Sequence, residues 1–325
     1  MAGSKVARRS VASEVATILD SPEVAALVAE LDALRWVGRK GYGARTMLGA
    51  CLVKALYALP TWTRVCDLIA EHPGLEGALG GAPSHWACYR FARKLRTERE
   101  RIAVCLDALA ASLRDHYPDM GQEVAIDASD MPAYANGQRF LYKDGPERQT
   151  YSDPDASWGH RSAVSTRKGG GFYGYRIHAA VCTKTGLPLA WQVETARSHE
   201  SNYVAPLLDA TRARGFSPAT CAMDMGYDNG RVYGECADRD VTAVIPLRRN
   251  SGLRESSLPR KSDEWKRLYR GRSAVEREFG RLKHHYALAM LRVRGIERVR
   301  LHADLTILGR LALELARARS ELRAA

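Results

Sequence analysis

Two alternating runs joined by a tight turn set the first constraint on the fold. Phe172-Tyr-Gly-Tyr-Arg-Ile-His-Ala-Ala-Val-Cys182 alternates as a strand, Thr183-Lys-Thr-Gly186 turns the chain, and Leu187-Pro-Leu-Ala-Trp-Gln-Val-Glu194 returns. Such a hairpin makes an antiparallel pair. Ahead of it, Glu123-Val-Ala-Ile-Asp127 is a short strand that ends on an Asp. Behind it, Ala219-Thr-Cys-Ala-Met-Asp224 ends on another, and Val241-Thr-Ala-Val-Ile245 is an apolar strand. Helices over 203–214 and 231–239 separate these later strands. Three strands in a meander and two joined through helices predict an α/β fold, a mixed five-stranded sheet with helices on its faces.

The first third of the chain carries no strand pattern. Ser21-Pro22-Glu23 is a helix start, with Ser as the cap and Pro at the first position. An apolar helix over 44–59 is closed by Pro60, and a second over 62–72 by Pro73-Gly74. Ser84 precedes a helix over 85–96, in which Arg90, Arg93, Lys94 and Arg96 are interleaved with Trp86, Tyr89 and Phe91. Two short helices with a turn, the second basic, fit a helix-turn-helix and fit a plain helical bundle equally well. A further helix over 98–116 ends at Tyr117-Pro118-Asp119. The expected division is therefore a helical domain over 1–118 and an α/β domain over 119–325. Within the latter, 138–171 is polar and reads as a long loop, and loops of that length are functional or disordered. A basic, Ser-rich linker spans 248–262, and a last helix runs from Val299 to about Arg317.

Charge narrows the partners. The 325 residues carry a net +12, and between Pro246 and Arg300 there are 16 Lys or Arg against 6 Asp or Glu. Such a segment suits a polyanion, nucleic acid before a membrane surface, and Arg suits bidentate phosphate contacts better than Lys does. Hydrophobic content of 46% is that of a globular chain. No stretch reaches the length of an apolar membrane span, because Lys54 interrupts the best candidate, and no secretory pattern follows Arg9. The seven cysteines are scattered singly, without a Cys-x-x-Cys pair, so zinc is not expected and a reducing cytosol is.

The centre of the basic segment, Tyr269 to Lys283, reads as one helix. Val275, Phe279, Leu282 and Tyr286 give it an apolar stripe, and Tyr269, Arg272, Glu276 and Lys283 share an adjoining face. One carboxylate among cations suits a site that holds a metal and a phosphate together. In open α/β sheets the chemistry lies beyond the carboxyl ends of the strands. Neighbouring strands would bring Asp127 and Asp224 together, and Glu276 supplies a third acid. Three close carboxylates repel one another unless divalent cations neutralise them. Oxygen ligands alone favour Mg²⁺ or Mn²⁺ over Zn²⁺, and two such ions about 4 Å apart suit in-line displacement at a phosphodiester.

These residues resemble the catalytic core of bacterial insertion-sequence transposases of the DDE type, an RNase H-like fold. Tyr269, Arg272, Glu276 and Lys283 match the Tyr-x2-Arg-x3-Glu-x6-Lys signature of the insertion-sequence-4/5-like superfamily. Ile126-Asp127 resembles its first acidic motif, and Asp224-Met-Gly-Tyr-Asp228 its second. Tyr173-Gly-Tyr-Arg-Ile-His178 is similar to a Gly-Tyr-Lys-x-His strand between them, with Arg in place of Lys. Many members carry a β-rich insertion between the second Asp and the Glu. Here only 52 residues separate those two positions, which places the chain with compact relatives.

The resemblance implies a mechanism. Asp127, Asp224 and Glu276 would hold two Mg²⁺, for which Mn²⁺ can substitute, to cut at a transposon end and join the released 3′-hydroxyl to target DNA. Tyr269, Arg272 and Lys283 would contact phosphates, with Asp130, Asp228, His178 and Glu278 behind them; of these, Asp228 reads first as a turn residue and His178 as a satisfied sheet residue. The implied partner is double-stranded DNA, bound as a homodimer in the cytoplasm at the nucleoid. Two other readings use the same residues: a nuclease without strand transfer, and a DNA-binding protein derived from an inactive transposase. A two-carboxylate glycosidase would leave the charge around Glu276 unexplained.

Overall fold

The computed structural model describes residues 10–34, 41–137, 139–140, 150–161, 168–248 and 258–324. Its compact units divide the chain at Leu109 and again at Ala303, whereas the sequence pointed to a single division at 118. Residues from Asp304 onward group with the N-terminal helices.

The helical unit contains α1 (Val11–Leu19), α2 (Pro22–Ala33), α3 (Ala44–Leu56), α4 (Trp62–Glu71), α5 (Pro73–Leu79), α6 (His85–Leu95) and the first part of α7 (Arg99–His116). Its organising element is α3, buried on nearly every side from Met47 to Val53 and packed against α1, α2, α4, α5 and α6. An apolar helix without a polar face can only sit at a centre. Local capping fixes the others: Ser84 Oγ accepts from the Ala87 amide at 3.3 Å, and Thr61 Oγ1 accepts from the Arg64 amide at 3.4 Å. α5 stands between α4 and α6, so the two helices are not joined by the simple turn a helix-turn-helix reading required. The C-terminal residues are tied in by charge, Arg319 forking onto Glu23 at 2.6 and 3.0 Å.

The α/β unit, Ala110–Ala303, is built on β1 (Glu123–Pro132), β4 (Ser157–Arg161), β5 (Gly170–Cys182), β6 (Pro188–Thr195), β7 (Thr220–Ala222) and β8 (Thr242–Val244). Two short strands, β2 (Arg139–Phe140) and β3 (Thr150–Tyr151), pair separately. β6 and β4 lie end to end along one edge of β5, and β1, β7 and β8 follow on its other side. β1 pairs antiparallel with β5 and parallel with β7, which pairs parallel with β8. The mixed, RNase H-like sheet is as expected, with one correction: it has six strands, because β4 emerges from the stretch expected to be loop. The stretches 141–149 and 162–167 of that stretch lie outside the described residues. So do 249–257 of the expected linker.

Helices cover the sheet: α8 (Val204–Ala213) on β5 and β6, α9 (Gly230–Ala237) on β8, α10 (Asp263–Arg270) on β7 and β8, and α11 (Ser273–His285) on β1 and β5. The last helix, α12 (Ile296–Ala324), is longer at both ends than its apolar pattern indicated. β5 is buried along almost its whole length, as a strand covered on both faces must be.

The glycine of Tyr173-Gly-Tyr175 has a structural reason. A Cβ on Gly174 would fall 2.4 Å from the Met131 carbonyl oxygen and 2.8 Å from the Ala133 amide, backbone atoms that cannot swing aside. Gly174→Ala is therefore expected to lower stability by about 2–3 kcal/mol, the range of an overpacked core. A shifted urea midpoint would measure it, and an unchanged midpoint would mean that β1 and β5 part without cost.

Candidate active site

The parallel ladder of β1 and β7 ends at the pair Ala125 and Ala222. Asp127 and Asp224 each stand two residues beyond it, so the topology brings the two acids to the same end of neighbouring strands. Neither terminates its strand in the way the sequence suggested. β1 continues to Pro132 because its ladder with β5 is longer, and Asp127 lies opposite Ala179 in it. β7 stops at Ala222, and Asp224 caps a 3₁₀ turn over Met225–Tyr227, its Oδ1 accepting from the Gly226 amide at 2.6 Å.

That turn is held from outside. Arg248 donates from Nε to the Met225 carbonyl at 3.0 Å and from Nη2 to the Gly226 carbonyl at 2.6 Å. Its own amide donates to Asp228 Oδ2 at 2.8 Å. Asp228 is thus buried as part of the turn's scaffold, in keeping with its reading as a turn residue.

The helix expected over 269–283 is two helices. Between α10 and α11 the amides of Gly271, Arg272, Ala274 and Val275 bond three residues back rather than four. Gly271 permits this tightening, since a Cβ there would lie 2.9 Å from the Leu268 carbonyl and 3.1 Å from Thr183 Cγ2. The apolar stripe is as predicted, with Val275, Phe279, Leu282 and Tyr286 all buried.

Arg272, at the junction, joins two of the expected acids. Its Nη2 donates to Glu276 Oε1 at 2.7 Å, and its Nη1 lies 3.6 Å from Asp127 Oδ2. Its guanidinium lies over the Tyr269 ring at 5.9 Å, and Tyr269 stacks on Trp265 at 5.0 Å with an interplanar angle of 17°. The Glu276 side chain is 53% exposed, that of Asp127 only 17%. Lys283 is half-buried about two turns further along α11.

Burial pushes the Asp127 carboxyl up to about 7. The negative charges of Asp224 and Glu200 add to this, and the Ala128 amide and Arg272 oppose it. Glu200 was not legible in the sequence. It sits on a 3₁₀ turn over Glu200–Tyr203 that packs against the Asp224 turn, and its carboxyl is also raised, first by burial. Arg176 bridges it to Asp130, at 3.4 and 3.3 Å. Tyr227 lies among these acids, 1% exposed, its hydroxyl meeting no partner among the described residues. Burial drives its phenol well up, and Asp127, Glu200 and Asp224 reinforce the shift.

His178 departs from expectation. It is fully buried and stacks on Tyr203 at 3.9 Å, yet neither ring nitrogen has a hydrogen-bond partner among the described residues. Burial lowers it to about 3, so the ring is neutral at physiological pH. Glu278 is buried and paired with Arg281.

The site is thus an acidic pair at the sheet end, a third acid on a neighbouring helix and a guanidinium between them. Oxygen donors around an undercompensated buried carboxyl fit a hard divalent cation in kind. Among the described residues, no three of His, Cys, Asp and Glu are gathered as metal ligands, and Glu276 is instead bound to Arg272.

No curated protein matches the chain closely enough to count as a relative. A family model described as the transposase DDE domain matches residues 119–310, which takes in Asp127, Asp224, Glu276 and the whole sheet that carries them. With more than half of its length under that match, the chain belongs to the DDE transposase family.

Proposed function

We propose that the chain is the transposase of an insertion sequence of the insertion-sequence-4/5-like superfamily. In this reading it binds the terminal inverted repeats of its element, cuts the DNA there and joins the released 3′ end to target DNA, a cut-and-paste transposition. The observation that supports it most is Arg272 spanning Asp127 and Glu276 while Asp224 stands beside Asp127. Those three acids, spread over 150 residues of sequence, would otherwise have no reason to share a neighbourhood.

Asp127, Asp224 and Glu276 would hold two Mg²⁺, with Mn²⁺ as a substitute. Bound there, the ions would activate the attacking oxygen and stabilise the leaving one. The remaining work is positioning. The β1–β5 ladder fixes Asp127, and the Arg248 strap fixes the turn of Asp224. Tyr269, Arg272 and Lys283 would hold the phosphates next to the cleaved bond, so binding would weaken steeply with salt. In the helical unit, Trp86 and Tyr89 are exposed on α6 beside Arg90 and Arg93, a surface that suits duplex DNA. Transposon ends are paired during the reaction, which calls for a homodimer on DNA, in the cytoplasm at the nucleoid. No helix among the described residues is long and apolar enough to cross a membrane.

The test is a labelled duplex that carries the element's end, incubated with Mg²⁺. The wild type is expected to nick at the end and to form joined products, and Glu276→Ala to lose nicking by at least about a hundredfold. Nicking without joining would make the protein a nuclease. Salt-sensitive binding without cleavage, even with Mn²⁺, would make it a DNA-binding derivative.

A further inference from the structure

Arg272 is seated, not loosely exposed. Its guanidinium caps a stack of Trp265 and Tyr269, and Trp265 packs on Ala222, Val244 and Leu268 at the β7–β8 end of the sheet. The tightened turn between α10 and α11 delivers it there. From that seat it takes one oxygen from Asp127 and one from Glu276, two side chains that belong to different elements. The carboxylate closest to Arg272 is that of Glu276, at 2.7 Å against 3.6 Å for Asp127.

A divalent cation that coordinates Asp127 and Glu276 competes for the oxygens that Arg272 now holds. The guanidinium then loses its hydrogen bond to Glu276 and its ion pair with Asp127, and such a fork next seeks a phosphate. We propose that Arg272 is an internal counter-ion that the divalent cation displaces, and that its release turns it into a phosphate contact, so that metal loading and DNA binding are one exchange. The inference rests on the reading above, in which Asp127 and Glu276 take the metal. It gives one residue opposite effects on the two ligands. Arg272 weakens metal binding in the absence of DNA and strengthens DNA binding. By linkage, metal and DNA promote each other's binding through it.

The experiment measures Mn²⁺ binding to the full-length protein by electron paramagnetic resonance, with and without an element-end duplex. Duplex affinity is measured in parallel with and without Mn²⁺. Without DNA, Arg272→Gln is expected to bind Mn²⁺ about tenfold tighter than the wild type, the size of one nearby charge removed from a partly exposed site. With Mn²⁺ its duplex affinity is expected to fall about tenfold relative to the wild type, with a salt slope smaller by about one, and without metal to change less. The gain in Mn²⁺ affinity that duplex gives the wild type should shrink in this variant. Arg272→Lys, which keeps the charge and loses the fork, is the second variant should Arg272→Gln not fold. It is expected to bind Mn²⁺ about threefold tighter than the wild type. Mn²⁺ affinity unchanged or weaker in the folded variants overturns the exchange. If Asp127→Asn abolishes Mn²⁺ binding in that same experiment, only the exchange has failed. If the wild type, Arg272→Gln and Asp127→Asn all fail to bind Mn²⁺, the metal-dependent reading falls as well.

Discussion

Asp127→Asn is expected to yield a protein that is more stable without metal and that no longer cleaves DNA. The two effects have one cause. Burial raises the Asp127 carboxyl from 3.8 to about 7, with the neighbouring acids adding and Arg272 only partly offsetting them. Ionising it is therefore harder in the folded chain than in the unfolded one. Between pH 3.8 and 7 the folded form retains a proton that the unfolded form has lost, so this group's contribution is most favourable below 3.8 and is lost as pH rises to about 7. Three pKa units correspond to about 4 kcal/mol. Asn keeps the acceptor for the Ala128 amide, now made by Asp127 Oδ1 at 2.8 Å, and removes the charge. At pH 8 with chelator, Asp127→Asn should gain about 2–4 kcal/mol in urea unfolding, and at pH 4 the gain should shrink below about 1 kcal/mol. Equal midpoints at pH 8 would show that the buried charge costs nothing. Functional acids held at the expense of stability are a common reason why a stabilising substitution abolishes activity.

What the sequence could show follows from the range of its signals. Strand alternation and the Thr183–Gly186 turn are local, and they located β5 and β6 within two residues. Spacing on a helix is also local, and it paired Arg272 with Glu276. Pairing of β1 with β7, which brings Asp127 toward Asp224, depends on topology, and the local signals left it as a condition. What failed was not local. β4 pairs along the edge that β5 offers it; its own five residues, Ser157-Trp-Gly-His-Arg161, hold one large apolar side chain and so give no alternation to read. The break at Gly271 packs closely against Thr183 as well as the Leu268 carbonyl, and Thr183 is far away in sequence. Glu200 had no spacing to tie it to the other acids. It reaches them because its turn packs on the Asp224 turn, and Arg231 of α9 fixes it there by donating to Ser201 Oγ and Asn202 Oδ1. That the His178 ring nitrogens meet no partner among the described residues was invisible for a related reason: the sequence places a histidine in a strand, but does not say what meets its nitrogens.

Asp153→Ala is expected to lower stability by about 3–4 kcal/mol, although Asp153 lies outside the candidate site. Asp153 lies between β3 and β4, in the stretch that read as loop, and it is fully buried. Its Oδ1 accepts from the Tyr175 hydroxyl at 2.8 Å and from the Gly295 amide at 3.1 Å, just ahead of α12. Its carbonyl accepts from the Tyr173 hydroxyl at 2.6 Å. Two residues on, Asp155 Oδ2 accepts from the Ile296 amide at 2.9 Å. The pair therefore satisfies donors at a helix start and places negative charge at the positive end of its dipole. Truncation to Ala leaves the buried Tyr175 hydroxyl and the half-buried Gly295 amide without this acceptor, at about 1–3 kcal/mol for the hydroxyl and less for the amide, and opens a cavity besides. Asp153→Asn retains the oxygen and is expected to lose only about 1 kcal/mol, the helix-end charge term. Urea unfolding of both variants separates the contributions. If Asn costs as much as Ala, the charge and not the hydrogen bonds anchors the helix; if Ala costs under about 1 kcal/mol, Tyr175 and Gly295 find other acceptors and Asp153 is no anchor.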